Sequence, residues 1–133
     1  MKIIDNKLID NLIVQAKESP RLRMNYNFHP SLEDKCHRLL NALEPGTVVP
    51  VHRHPTKDES FVILRGRVRV NIYNDEGKVT ESVVLCHEEG MYGVDIAKNV
   101  WHGVECLESG CVIFEVKEGP FGPHDKDGIL EVK

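Results

Sequence analysis

The sequence predicts an all-β barrel or sandwich preceded by one helix, and three observations carry that prediction. Short apolar runs recur from Lys35 onward, turn signals rich in Gly, Pro, Asn and Asp separate them, and a helical apolar period occurs only near the N-terminus. Strands at this spacing belong to all-β architectures rather than to alternating strand–helix units.

The helix comes first. Within residues 5–18, Leu8, Ile9, Leu12, Ile13 and Ala16 fall on one face of a 3.6-residue period, and Ser19 with Pro20 ends it. The next segment, RLRMNYNFH, switches to a period of two: Arg21, Arg23, Asn25, Asn27 and His29 alternate with Leu22, Met24, Tyr26 and Phe28. It reads as a strand with one polar face, either solvated at a sheet edge or turned as a row of donors toward a pocket. Eight further runs read as strands: CHRLLNAL, TVVPVH, SFVILRG, RVRVNIY, TESVVLC, MYGVDI, WHGVEC and CVIFEVK. Asn74, Asp75, Glu76 and Gly77 form the clearest hairpin turn, because Gly takes the positive φ that a tight connection needs. The last stretch, from residue 119, has little periodicity and reads as a tail along the barrel or fraying from it.

At 133 residues the chain has the length of a single domain, and such a domain buries roughly two-thirds of its unfolded surface. We therefore expect one domain over 1–133, with a helix at 1–19, a barrel at 20–118 and a tail at 119–133. Hydrophobic residues make up 41% and charged residues 29%, the balance of a globular protein. The net charge of -4 and the scattered Lys and Arg give no basic field, so no nucleic-acid partner is expected. Acidic residues interrupt the apolar stretch that an export signal needs, and no segment approaches the roughly 18 apolar residues of a membrane span. The expectation is a cytoplasmic protein with no membrane contact. Cys36, Cys86, Cys106 and Cys111 lack the spacing of a CxxC motif and read as reduced, mostly buried thiols, with Cys106 a neighbour of the site below as the alternative.

Chemistry concentrates in the middle of the chain. His52 and His54, one residue apart at a strand end, leave on the same face, where two imidazoles can reach one ion. Pro55 ends that strand, the chain turns through Thr56, Lys57 and Asp58, and Glu59 opens the neighbouring strand with Phe61 and Ile63 on its own side. Ser60, Val62 and Leu64 face the other way, and the apolar members of that face imply a cover, the helix or a second subunit. A fourth donor, His102, opens WHGVEC, with Trp101 and Val104 expected on the opposite side. Three imidazoles and a carboxylate favour Fe(II), Mn, Ni, Zn or Cu over Ca or Mg. His29, His37, His87 and His124 have no such spacing and are not taken as ligands.

The spacing of Gly46, His52, His54, Glu59 and Gly66 resembles the first motif of the cupin family in full. Gly90 and His102 match the second, but Ala97 and Asn99 replace its Pro and Gly, and Cys106 its trailing Asn. Asn tolerates the left-handed turn nearly as Gly does, which keeps the geometry plausible. The leading helix, SPRLRMNYNFH, LLNALEPGTVVPVHRHPTKDESFVILRG and the GPFGP stretch are similar to the WbuC-type cupin-fold metalloproteins of bacterial polysaccharide clusters. This resemblance implies a double-stranded β-helix, or jelly-roll barrel, with one N-terminal helix and one divalent metal on His52, His54, Glu59 and His102. It also implies a role on a small sugar or sugar nucleotide, as an isomerase or epimerase would have.

Such chemistry needs a base beside the ion, and Tyr26, His29 and Tyr92 are the candidates. Arg21, Arg23, Asn25, Asn27 and His29 are the candidate substrate-binding residues, since two guanidinium forks suit an anionic or sugar-like ligand. Two alternatives stand beside this reading: an Fe(II)-dependent dioxygenase of a small molecule, and a non-catalytic module that binds a small ligand through its metal. The outward apolar face leads us to expect a homodimer.

Overall fold

The computed structural model describes residues 1–120. The expected tail and His124 lie outside the described residues, apart from Gly119 and Pro120. Helix α1 spans Asn6–Glu18, and the strands are β1 Arg23–Asn27, β2 Cys36–Leu43, β3 Glu59–Arg65, β4 Val68–Tyr73, β5 Val79–Leu85, β6 Gly93–Ile96, β7 Trp101–Cys106 and β8 Cys111–Glu118. They form a five-stranded sheet in the order β1-β2-β8-β3-β6 and a three-stranded sheet in the order β5-β4-β7. All pairings are antiparallel. This is the cupin jelly-roll with one leading helix.

Asp5 caps α1 by accepting a hydrogen bond from the Leu8 amide at 3.0 Å, satisfying one of the amides that a helix start leaves without a partner. Ile9, Leu12, Ile13 and Ala16 are buried against the outer face of the larger sheet, on Leu40, Ala42 and Val112. Met24, Tyr26, Phe28, Leu64 and Phe114 complete that layer. The inner faces of the two sheets enclose the main core, built on Leu43, Phe61, Ile63, Val68, Val70, Leu85, Ile96, Cys111 and Ile113. The helix thus covers Leu64, whereas Val62 stays 41% exposed.

Two turn expectations are met in detail. Asn74 holds the β4–β5 turn by accepting from the amides of Glu76 and Lys78, with Gly77 at φ 81°. Gly66, between β3 and β4, has φ 87°, and a Cβ there would lie 2.6 Å from Cys111 Sγ, so only glycine fits. One expected strand is missing: TVVPVH forms no strand, and His52 alone makes an isolated bridge to His102. Pro50 has no N–H to give a ladder, which breaks the run in its middle.

Candidate metal centre

Three segments bring the donors together. His52 and His102 exchange backbone hydrogen bonds, 2.9 Å in each direction, which sets the two side chains next to each other with ring centroids 4.3 Å apart. Asn99 takes the left-handed conformation, φ 66°, and its amide donates to the His54 carbonyl at 2.8 Å. The Lys98 amide donates to Asp58 Oδ1, so the turn before β7 is laced onto the loop that carries His54. The substitution of Asn for Gly therefore preserves the turn. Glu59 opens β3 beside them and faces inward with Phe61 and Ile63.

The four ligand atoms of His52, His54, Glu59 and His102 lie within 4.8 Å of one another. His54, Glu59 and His102 are buried. His52 Nδ1 donates to the Pro50 carbonyl at 2.8 Å and His102 Nδ1 to the Val100 carbonyl at 2.9 Å. In a neutral ring this fixes the proton on Nδ1 and leaves the Nε2 lone pair for an ion, the arrangement that neighbouring carbonyls impose at metal sites. His54 Nε2 is 3.0 Å from Glu59 Oε2, and His102 Nε2 is 3.3 Å from Glu59 Oε1. Three imidazole nitrogens and a carboxylate suit a transition-metal dication, so the residues present fit such a group.

Electrostatics point the same way. Burial and the neighbouring His102 hold His52 down to about 4, which keeps it neutral and ready to ligate. Burial opposes charge on Glu59, but hydrogen bonds from His102 and His54 outweigh it and hold the carboxyl well below its usual range. Burial likewise opposes charge on His102, and Glu59 reverses the effect and raises it. A buried carboxylate that draws a proton onto a neighbouring ring marks a place where positive charge is stabilised.

A cavity of about 170 Å³ opens onto these residues. Of the expected substrate-binding residues, Arg23 lines it. Asn25 and Asn27 follow Arg23 along β1 on the same side and are exposed. Arg21 is exposed and falls out of the alternation, because Leu22 between it and β1 has φ 56°. His29 is buried elsewhere, stacked on His37 at 4.2 Å and bonded to the Arg38 backbone. The expected bases do not line the cavity either: Tyr26 packs under α1 and Tyr92 is 63% exposed.

Val104 departs from expectation. It lies on the His102 side, lining the cavity and packing on the core, because residues two apart on a strand share a face. Trp101 does turn the other way, stacking under the Arg53 guanidinium at 4.2 Å. Cys106 donates to the Leu43 and Glu108 carbonyls rather than joining the histidine cluster, and all four cysteines are free, with Cys36 exposed.

Sequence reasoning missed Asn41, Glu115 and Lys117, which line the cavity from β2 and β8. Their signal was the alternation of Ile113, Glu115 and Lys117 with Val112, Phe114 and Val116, which turns two charged residues toward the barrel interior. Burial, reinforced by the charge of Glu59, raises the Glu115 carboxyl to about 7. A larger cleft of about 480 Å³ lies between α1 and the barrel. Its cations are paired, Arg65 with Asp10 and Arg67 with Glu89 and Glu108, so it offers less chemistry than the histidine cavity.

Comparison with known proteins agrees on the fold. The chain resembles the capsular polysaccharide assembling protein CapF from Staphylococcus aureus, at 20% identity and a TM-score of 0.67, over 86% of this chain and 33% of CapF. A CapF structure with the inhibitor 3-isopropenyl-tropolone is also similar, at 23% identity and a TM-score of 0.63, over 81% of this chain and 31% of that one. The protein TT1209 from Thermus thermophilus matches at 21% identity and a TM-score of 0.65, over 89% and 97% of the two chains. The chain thus spans about a third of the CapF chains it matches. No curated protein matches the sequence significantly. A family profile described as a domain of unknown function, DUF6016, matches residues 4–85. Among the described residues no helix is long and apolar enough to cross a membrane.

Proposed function

Because the chain belongs to DUF6016, a family defined by a domain of unknown function, we propose its role from the site itself: a metal-dependent cupin that acts on a small sugar-derived molecule, as an isomerase or epimerase does. The carrying observation is the convergence of His52, His54, Glu59 and His102 on one point beside a cavity that holds Arg23 and Glu115. These four residues would hold a divalent ion of the Zn, Fe, Mn, Ni or Cu class. When bound, the ion supplies Lewis-acid polarisation of a carbonyl or hydroxyl.

The chain's own residues supply the rest. Arg23 offers a guanidinium fork for an anionic group. Glu115, whose carboxyl sits near neutrality, is the group in the cavity able to take and return a proton. Leu43, Val49 and Ile113 exclude water from the inner wall. The WbuC-type resemblance, a place in bacterial polysaccharide metabolism and a cytoplasmic location belong to the same proposal. So does a homodimer, which the exposed Val62, Met91 and Tyr92 around β6 support and sedimentation at increasing concentration tests.

The metal reading is tested by elemental analysis of protein purified without added metal or chelator. Stoichiometric transition metal in the wild type and a sharp loss in His54→Ala, with circular dichroism unchanged, are expected. Full occupancy in that variant overturns the site. Oxygen uptake by the iron-loaded protein would replace isomerase chemistry with that of a dioxygenase.

A further inference from the structure

The cavity beside the histidines limits what can enter. Its volume, about 170 Å³, falls below the roughly 300–1,000 Å³ of pockets that enclose drug-sized ligands. A nucleotide or an oligosaccharide does not go in whole. One wall is apolar, through Leu43, Val49, Val104 and Ile113, and the other carries Arg23, Asn41, Glu115 and Lys117.

Two atoms on that polar wall lack partners. Arg23 Nε and Asn41 Oδ1 are shielded from solvent and neither makes a hydrogen bond. Buried polar groups are nearly always satisfied, so each exception asks for an explanation. Arg23 Nε lacks an acceptor and Asn41 Oδ1 lacks a donor. A molecule that carries an oxyanion and a nearby hydroxyl answers both. Size chooses among oxyanions: in about 170 Å³ a planar carboxylate leaves more room for the rest of the ligand than a tetrahedral phosphate does. A neutral sugar offers Arg23 Nε only a neutral acceptor, a weaker partner than an oxyanion.

We propose that the cavity binds a small polyhydroxy carboxylate, the size of one open-chain sugar acid, with its carboxylate on Arg23 and a hydroxyl on Asn41. The inference rests on the metal-centre reading above and narrows its substrate class, excluding a whole sugar nucleotide.

The test uses Co(II)-loaded protein, whose visible spectrum reports on the metal's surroundings, titrated with D-gluconate, D-glucose, D-glucose 6-phosphate and UDP-glucose. Gluconate is expected to shift the spectrum saturably and to bind at least tenfold more tightly than the other three. Arg23→Gln should weaken gluconate at least tenfold with Co(II) content unchanged, and Arg23→Lys should fall between, since it keeps the charge and loses the fork. Asn41→Ala should weaken gluconate by a smaller factor. Equal binding of glucose, glucose 6-phosphate or UDP-glucose overturns the substrate class, as does unchanged gluconate binding in Arg23→Gln. Co(II) uptake with no response to gluconate overturns the substrate class and leaves the metal centre standing. A wild type that takes up no Co(II) overturns the metal centre and this inference with it.

Discussion

The two ends of the barrel interior share strands β3 and β8 and behave as different materials. Along β3 the inward residues run Glu59, Phe61, Ile63, and along β8 they run Lys117, Glu115, Ile113, paired in that order. Two residues of travel therefore separate a charged site from a dry core. The apolar end, from Phe61 and Ile63 to Val70 and Leu85, stabilises the fold by removing hydrocarbon from water. The polar end works against that, since buried imidazoles and carboxylates gain stability from partners rather than from burial. A jelly-roll thus tolerates a buried polar site because its other end holds the sheets together.

The largest effect that tests this division is at the apolar end. Phe61→Ala should lower unfolding free energy in urea by about 3–5 kcal/mol, the range for a buried aromatic reduced to Ala. A loss as small as that of a surface change would place the stabilising core elsewhere.

Acid comes next. His52 sits at about 4 in the fold against 6.5 when exposed, so burying it neutral costs nothing above pH 6.5, and stability is lost as pH falls from there toward 4. The loss is about 3 kcal/mol in the metal-free protein. His102, raised in the fold, acts in the opposite direction, its contribution fading as pH rises through its folded value. Comparing the pH profile of wild type with that of His52→Gln isolates the first effect, and identical profiles would remove it.

Metal sharpens the contrast further. At a free concentration of 100 times its Kd, an ion that binds only the folded chain adds about 2.7 kcal/mol. Thermal melts with and without chelator should show that increment in wild type and lose it in His54→Ala. The increment should survive in Phe61→Ala if the two ends are independent. The smallest effect is outside both: Arg53→Ala removes the stacking on Trp101 and should lower stability by about 0.5–1 kcal/mol with metal content unchanged.

The fold was legible because its signals are local: strand alternation, the Asn74–Gly77 turn and the capped helix are each written in a few consecutive residues. The histidine cluster was legible because His52, His54 and Glu59 are close in sequence and the turn between them is short. What sequence hid depends on neighbours that the topology alone supplies. Asn41 and Glu115 lie on β2 and β8, away from the motif in sequence, and reach the cavity through sheet order β1-β2-β8-β3. The polar stripe from Arg21 to His29 could not be placed either, because the left-handed Leu22 and the His37 stack remove its two ends. TVVPVH looked like a strand by composition, and Pro50 prevented it.

The paired hydrogen bonds between His52 and His102 have a kinetic consequence. They join two segments far apart in the chain, and closing so long a loop costs entropy that the contacts it makes must offset. An ion held across the bridge would then work as a latch: if the contact is absent from the folding transition state, the ion lengthens the lifetime of the folded barrel more than it speeds its formation.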